Sequence, residues 1–315
     1  MNSVSGGKVV VLTGGVGGAK LVLGLAQILP PEQIVAIVNT GDDFRHLGLW
    51  ISPDLDTLLY TLSGKANATQ GWGREGETWQ FMSALRSLGG EGWFQLGDGD
   101  LALHVLRTAA LAQGETLSTI TQRFGADWNV GVRMLPMSDD PVATHLTTDE
   151  GDLPFQRYFV ERRCVPRVSS IRFEGAERAR AAPGVAQALR DTGTRAILIA
   201  PSNPYLSVDP ILAIPEIRQA LREASAPIVA ISPIVGGKAV KGPTAKLMEE
   251  LGIEVSPAAV AAHYGELLDG MIFDRRDPIG ESTLPRLSID TLMVTLEDRV
   301  RVASAALQLA DRLAE

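Results

Sequence analysis

The chain is short of cysteine, of net positive charge and of long apolar runs, and each shortage closes off a class of function. A single cysteine, Cys164, stands among 315 residues, which excludes an intramolecular disulfide framework and a cysteine-rich metal site. With no His or Asn context around it, Cys164 reads as a packing residue rather than a nucleophile. His46, His104, His145 and His263 show no metal-ligand spacing. Lysine and arginine number 29 against 37 aspartates and glutamates, a net charge of −8, so no basic field draws a nucleic-acid backbone. No stretch approaches the ~20 apolar residues of a membrane span, and the start MNSVSGGK has no apolar run before Lys8. The expectation is a soluble, cytoplasmic globular protein with neither nucleic acid nor membrane as partner. What is present is core material. Hydrophobic residues make up 45% of the chain, and the length fits one large α/β domain or two small ones.

Val9–Thr13 (VVVLT) is a short β-branched run that ends in GGVGG, the pattern of a strand buried on both faces. Ala19–Leu29 follows at near-helical spacing until Pro30 and Pro31 stop it, and Ile34–Asn39 is a second buried strand. Strand, glycine turn, helix and strand in this order form a βαβ unit and imply a parallel sheet. Arg195–Ala200 and Ala226–Ile231 repeat the strand pattern, with Leu292–Thr295 a shorter candidate. Helices are expected over Ile214–Glu223, Thr244–Leu251 and Glu297–Leu313. Residues 78–125 read as helical and 130–173 as short strands broken by Pro, Gly and Asp. This predicts an α/β, doubly wound, mainly parallel core formed by residues 1–64 and 166–315, with an inserted mixed α/β cap at 65–165. No repeat or low-complexity linker demands a second independent domain.

The turn Gly14-Gly15-Val16-Gly17-Gly18-Ala19-Lys20 leaves a strand and opens a helix, the context of a phosphate site. It completes neither standard fingerprint. A G-x-G-x-x-G from Gly15 meets Lys20 instead of glycine, and a Walker A from Gly14 meets Ala19 and Leu21. Asp42 and Asp43 follow the second strand, and Asp54 and Asp56 open a helix predicted from Thr57 to Leu62. Helix capping accounts for one of the four. Four carboxylates beside a phosphate loop point to a divalent cation, most often Mg²⁺, or to a general base. Two further loops leave strands: Pro201–Ser207, with Ser202, Asn203 and Ser207, and Ser232–Lys238 through Lys241-Gly242-Pro243, with Gly236, Gly237 and Lys238. Neutral donors suit phosphate or ribose oxygens and lysines suit phosphate charge. Trp72 and Trp79 are candidates for an aromatic wall or for core packing. Seven arginines in Arg157–Arg180 read as a solvated face or a subunit contact.

The segments VLTGGVGGAKLVLGL, VNTGDDFRHLGLWISPDLDTLLYTLSG, GWGREGETW, LPMSDDPVATH, APSNPYLSVDPILAIP and SPIVGGKAVKGPTAKLM together resemble the 2-phospho-L-lactate transferase family, from Val9 to about Asp274. The resemblance implies a Rossmann-like core with an inserted cap, a homodimer and dependence on Mg²⁺. It also implies that the ribityl hydroxyl of 7,8-didemethyl-8-hydroxy-5-deazariboflavin attacks a guanosine-diphosphate-activated hydroxy acid and releases GMP, in coenzyme F-420 biosynthesis. The acid is 2-phospho-L-lactate, phosphoenolpyruvate or 3-phospho-D-glycerate. In these terms Asp42 and Asp54 are the expected catalytic carboxylates, and Asp42, Asp54 and Asp56 the expected metal ligands. Gly14, Gly15, Gly17, Gly18, Asp56, Ser202, Asn203, Ser207, Gly236, Gly237 and Lys238 are the expected binding residues. One departure stands out: the family usually reads LGDRD where this chain has Leu96-Gly97-Asp98-Gly99-Asp100, which leaves the identity of the acid open. Gluconeogenesis-factor proteins, non-catalytic nucleotide-sugar-binding regulators, share the glycine-rich start and are the alternative. A dinucleotide-dependent dehydrogenase comes third, against the broken fingerprint.

Overall fold

The computed structural model describes residues 6–67, 72–240, 242–278 and 283–315. Gly71 and Lys241 therefore lie outside the described residues. The chain begins with β1 (Lys8–Thr13), α1 (Gly15–Leu25), β2 (Ile34–Val38), the hairpin β3 (Phe44–His46) and β4 (Leu49–Ile51), and α2 (Pro53–Leu62). Then come α3 (Gln80–Ser87), α4 (Asp100–Ala112), α5 (Leu117–Asp127), β5 (Arg133–Pro136), β6 (Ala143–Thr148), β7 (Gly151–Pro154) and β8 (Val168–Glu174). The remainder is α6 (Val185–Arg190), β9 (Thr194–Ile199), α7 (Asp209–Leu212), α8 (Pro215–Arg222), β10 (Ile228–Ile231), β11 (Ile234–Val235) and β12 (Lys238–Ala239). It ends with α9 (Thr244–Glu250), α10 (Pro257–Tyr264), β13 (Gly270–Asp274), β14 (Arg286–Ile289) and α11 (Leu296–Ala314).

Seven strands form one parallel sheet in the order β14-β13-β10-β9-β1-β2-β5. The central strands are apolar at nearly every position because helices cover both faces. Val9 and Val11 pack with α1, α2, α5 and α11, while Val10 and Leu12 pack with α6, α8 and α10. The chain lays β1, β2 and β5 outward in one direction, then returns to place β9 on the other flank of β1 and continues through β10, β13 and β14. The strand order thus reverses between β1 and β9, and a crevice opens at the carboxyl ends of the sheet there.

Differences from the expected elements have local causes. Helix α1 starts at Gly15 and ends at Leu25, not Ala19–Leu29, since the glycines themselves form its first turn. Leu292–Thr295 is not a strand: Thr291 N–H and Oγ1 donate to Asp274 Oδ2, and Thr295 caps α11 through Asp298. Strands β13 and β14 occupy that edge instead. Residues 65–165 supply two different things. Strand β5 joins the main sheet beside β2, and α4 and α5 add Leu103, Ala110, Ile120 and Phe124 to its core. Strands β6 and β7 pair with β8 in a separate antiparallel sheet. Among the described residues no helix is long and apolar enough to cross a membrane.

Candidate functional site

A cavity of about 680 Å³ lies at the crevice between the β1 and β9 loops, a size suited to ligand sites. Its wall includes Gly14, Gly15, Gly17, Asp42, Asp54, Asp56, Ser202, Asn203 and Ser207. The first two expected loops thus converge on one space. The third reaches the same space too, through Ser232, Pro233, Gly242 and Pro243, but not through its expected residues. Gly236, Gly237 and Lys238 are exposed and lie outside the cavity wall, while Val235 and Val240 line it. The reason is the turn. Gly236 and Gly237 have φ of +59° and +71°, they reverse the chain between β11 and β12, and the Gly237 N–H donates to Asp277 Oδ1 at 2.6 Å.

The two converging loops interlock at van der Waals limits. A Cβ on Gly14 would lie 2.6 Å from Asp54 Oδ2, and one on Gly17 would lie 2.5 Å from the Pro201 carbonyl oxygen. Gly15 has φ of +64°, where glycine is favoured, and its N–H donates to Asp54 Oδ1 at 2.7 Å. Ser202 Oγ donates to the Gly14 carbonyl at 2.7 Å and accepts the Gly14 N–H at 3.3 Å, clasping the loops together. Gly18 is a packing residue outside the wall, since its Cβ would lie 2.0 Å from Thr13 Oγ1. Asn203 Oδ1 accepts from the N–H groups of Tyr205 and Leu206, while its buried Nδ2 has no protein partner.

The four carboxylates of the sequence pattern separate into two kinds. Asp43 accepts from Trp50 Nε1 at 3.2 Å and Ser52 Oγ at 2.6 Å, which fastens the base of the β3–β4 hairpin. Burial pushes its carboxyl up to about 8. Asp56 is held by Arg107 of α4, whose Nη1 donates to Oδ2 at 3.1 Å and whose Nη2 contacts Oδ1. Both residues are buried. Asp54 does not cap α2. It sits in the first turn, yet its side chain reaches back to the Gly15 N–H and to Asn39 Nδ2 at 3.0 Å. Burial raises Asp54 to about 6. Asp42 is buried on the cavity wall with Oδ1 unpartnered, and its carboxyl is pushed well above the usual range by burial, then by the charges of Asp54 and Asp43. Among the described residues neither Asp42 nor Asp54 forms an ion pair with a cationic side chain. The two share a deficit of positive charge.

Several wall residues escaped the sequence reading. Tyr60 donates to Asp100 Oδ1, and His104 Nε2 lies 3.2 Å from Asp100 Oδ2. His104 Nδ1 lies 3.7 Å from Asp56 Oδ2, which links this network to Arg107. Burial first, then the charges of Asp56 and Asp100, pushes the Tyr60 phenol up, so it stays a donor. Burial would raise Asp100, but His104, Tyr60 and Arg107 hold it below the ordinary range. The spacing Asp100, His104, Arg107 is i, i+4, i+7 on one helix face, a signal present in the sequence. Trp72 and Trp79 both line the cavity with Tyr60, Phe94, Phe155 and Phe159, and Trp79 also packs on the cluster of Ile51, Met82 and Leu96.

The chain resembles the phosphoenolpyruvate transferase of Streptomyces griseus, 42% identical over 97% of this chain and 99% of that one. It is 38% identical to the 2-phospho-L-lactate transferase of Methanosarcina mazei, over 95% and 99% of the two chains. A solved structure of a UPF0052 family member from Bacillus halodurans shares the fold with a TM-score of 0.63 at 19% identity, over 96% of this chain and 99% of that one. The model of the 2-phospho-L-lactate transferase CofD family matches residues 9–309, and the chain belongs to that family of transferases.

Proposed function

We propose that the protein moves the phosphoryl-linked hydroxy acid of a guanosine-diphosphate-activated donor onto the ribityl hydroxyl of 7,8-didemethyl-8-hydroxy-5-deazariboflavin, in coenzyme F-420 biosynthesis. The observation that carries this reading is Asp42, a buried carboxylate with one unpartnered oxygen on the wall of the crevice at the strand-order reversal. The hydroxyl oxygen forms a bond to the distal phosphorus, the bond from that phosphorus to the GMP oxygen breaks, and the electron pair leaves with GMP. The hydroxyl proton passes to the Asp42 carboxylate.

The other parts find roles from their chemistry. The Val16 and Gly17 N–H groups in the first turn of α1 are the backbone donors for a diphosphate, and Asn203 Nδ2 is a donor awaiting an acceptor. Tyr60, Trp72, Trp79 and Phe94 form flat apolar surface for a tricyclic ring. Mg²⁺ fits Asp42 and Asp54, whose charges have no cationic partner among the described residues, better than Asp56, which already faces Arg107. Among the described residues no group of three or more His, Cys, Asp or Glu side chains is disposed to hold a metal. Mg²⁺ bound here would draw its remaining oxygens from diphosphate and water and would offset the donor's charge. The homodimer and the cytoplasmic setting belong to the same proposal. Purified protein, given donor and deazaflavin, should release GMP in step with the new phosphodiester, lose that activity in EDTA and regain it with Mg²⁺. Full turnover in chelator removes the metal from the account, and no turnover with any of the three donors removes the reaction.

A further inference from the structure

Five carboxylates line the cavity, those of Asp42, Asp54, Asp56, Glu77 and Asp100, but Arg74 brings the only guanidinium among its described lining residues. Its backbone is tied down. Ala66 and Arg74 form an antiparallel bridge, the Glu75 N–H donates to the Lys65 carbonyl at 2.7 Å, and the Lys65 N–H donates to the Tyr60 carbonyl at 2.8 Å. Arg74 is thereby fastened to the end of α2, the helix whose first turn holds Asp54.

The side chain lies over glycine. A Cβ on Gly99 would stand 1.8 Å from Arg74 Nη1 and 2.9 Å from its Cζ, so the guanidinium fills space that any side chain at this position would claim. Glu77 lies on the same floor. Its Oε2 accepts the Gly99 N–H at 2.6 Å, and a Cβ on Gly97 would stand 2.3 Å from its Cδ. Asp98, between the two glycines, is engaged elsewhere, accepting the Gln80 and Phe81 N–H groups at the start of α3. Glu77 Oε1 stands 3.7 Å from Arg74 Nη1, beyond hydrogen-bonding distance. It steadies the guanidinium electrostatically without occupying its donors, and 34% of the Arg74 side chain stays exposed.

We propose that Arg74, seated on Gly99 and steadied by Glu77, binds the carboxylate of the transferred acid and is the residue that distinguishes the activated donor from GDP. This rests on the transferase reading above. Phosphoenolpyruvate and 2-phospho-L-lactate both carry a carboxylate on the carbon that bears the phosphate ester oxygen, and GDP carries none. A planar guanidinium grips a carboxylate through two parallel N–H donors, which an ammonium cannot reproduce.

Calorimetric titration of GDP and of guanosine-diphosphate-activated phosphoenolpyruvate into wild-type, Arg74→Gln, Arg74→Lys, Gly99→Ala and Arg74→Gln/Gly99→Ala proteins tests this. Wild type should bind the activated acid more tightly than GDP. Arg74→Gln should weaken the activated acid by roughly 10–100-fold and leave GDP unchanged. Arg74→Lys should recover only part of the loss. Gly99→Ala, which leaves Arg74 in the sequence but displaces it, should weaken the same ligand, and the double variant should be no worse than Arg74→Gln. If Arg74→Gln retains the preference for the activated acid, or if the two substitutions add, the assignment of Arg74 is wrong while the transferase reading stands. If wild type binds neither ligand, both are wrong.

Discussion

Arg107 shows how one residue decides what its neighbours can be. Without it Asp56 would be a third uncompensated carboxylate beside Asp42 and Asp54. With it, Asp56 becomes half of a buried ion pair. Replacing Arg107 by Leu leaves Asp56 buried and unpaired, and we expect a loss of about 3–5 kcal/mol in urea unfolding. A change under 1 kcal/mol would show that water or His104 can serve Asp56 equally well. Asp54 and Asp43 allow a second test. Their folded-state values of about 6 and about 8 lie above the unfolded carboxylate near ~3.9, so the native state binds more protons. The stability from this excess is whole below about pH 4 and is lost as pH rises through 6 and then 8. Metal-free protein should therefore lose stability between about pH 4 and about pH 8, and Asp54→Asn should lose less between about pH 4 and about pH 6. An Asp54→Asn pH profile parallel to wild type would contradict the assignment.

At the scale of elements, close approach between backbones sets the geometry. Helix α1 lies directly against α11, and a Cβ on Gly24 would stand 2.3 Å from the Arg299 carbonyl oxygen. Gly24→Ala gains up to ~1 kcal/mol in helix propensity but must separate two helices at a backbone contact, which costs ~1–3 kcal/mol. We expect net destabilisation of about 1–2 kcal/mol by urea midpoint, and an unchanged or raised midpoint would show that α11 shifts freely. The strands most legible in the sequence were the buried runs of β1, β2, β9 and β10, because a continuous apolar stretch between turn residues has few other uses. Strand β13 escaped because it opens on Gly270 and has only Met271, Ile272 and Phe273 as an apolar run. The site was legible where one loop carried its own signal, as in Gly14–Gly17, Asp42 and Asn203. It was illegible where partners lie far apart in the chain, as with Asp56 and Arg107 or Arg74 and Gly99. The SPIVGGK loop reaches the wall through Ser232, Pro233 and Val235, while its glycines serve a hairpin turn, a second use for the same residue type.

For the whole molecule the order of strands matters more than any single motif. Because the chain reverses its direction of travel between β1 and β9, the loops after these strands meet at one sheet edge and both line the cavity there. Strand β5 and helices α4 and α5 then tie the middle of the chain to the same sheet, and α4 brings Asp100 and His104 to the cavity wall. The central claim is that Asp42 acts on the reacting hydroxyl in this cavity. Its most direct test is steady-state transfer by Asp42→Asn, paired with a fluorescence titration of the deazaflavin. The shape survives and the charge does not, so we expect kcat to fall by roughly 10²-fold or more with little change in deazaflavin affinity. An Asp42→Asn protein that turns over near the wild-type rate would contradict the account and move the reaction centre to another carboxylate, with Asp54 the first to try.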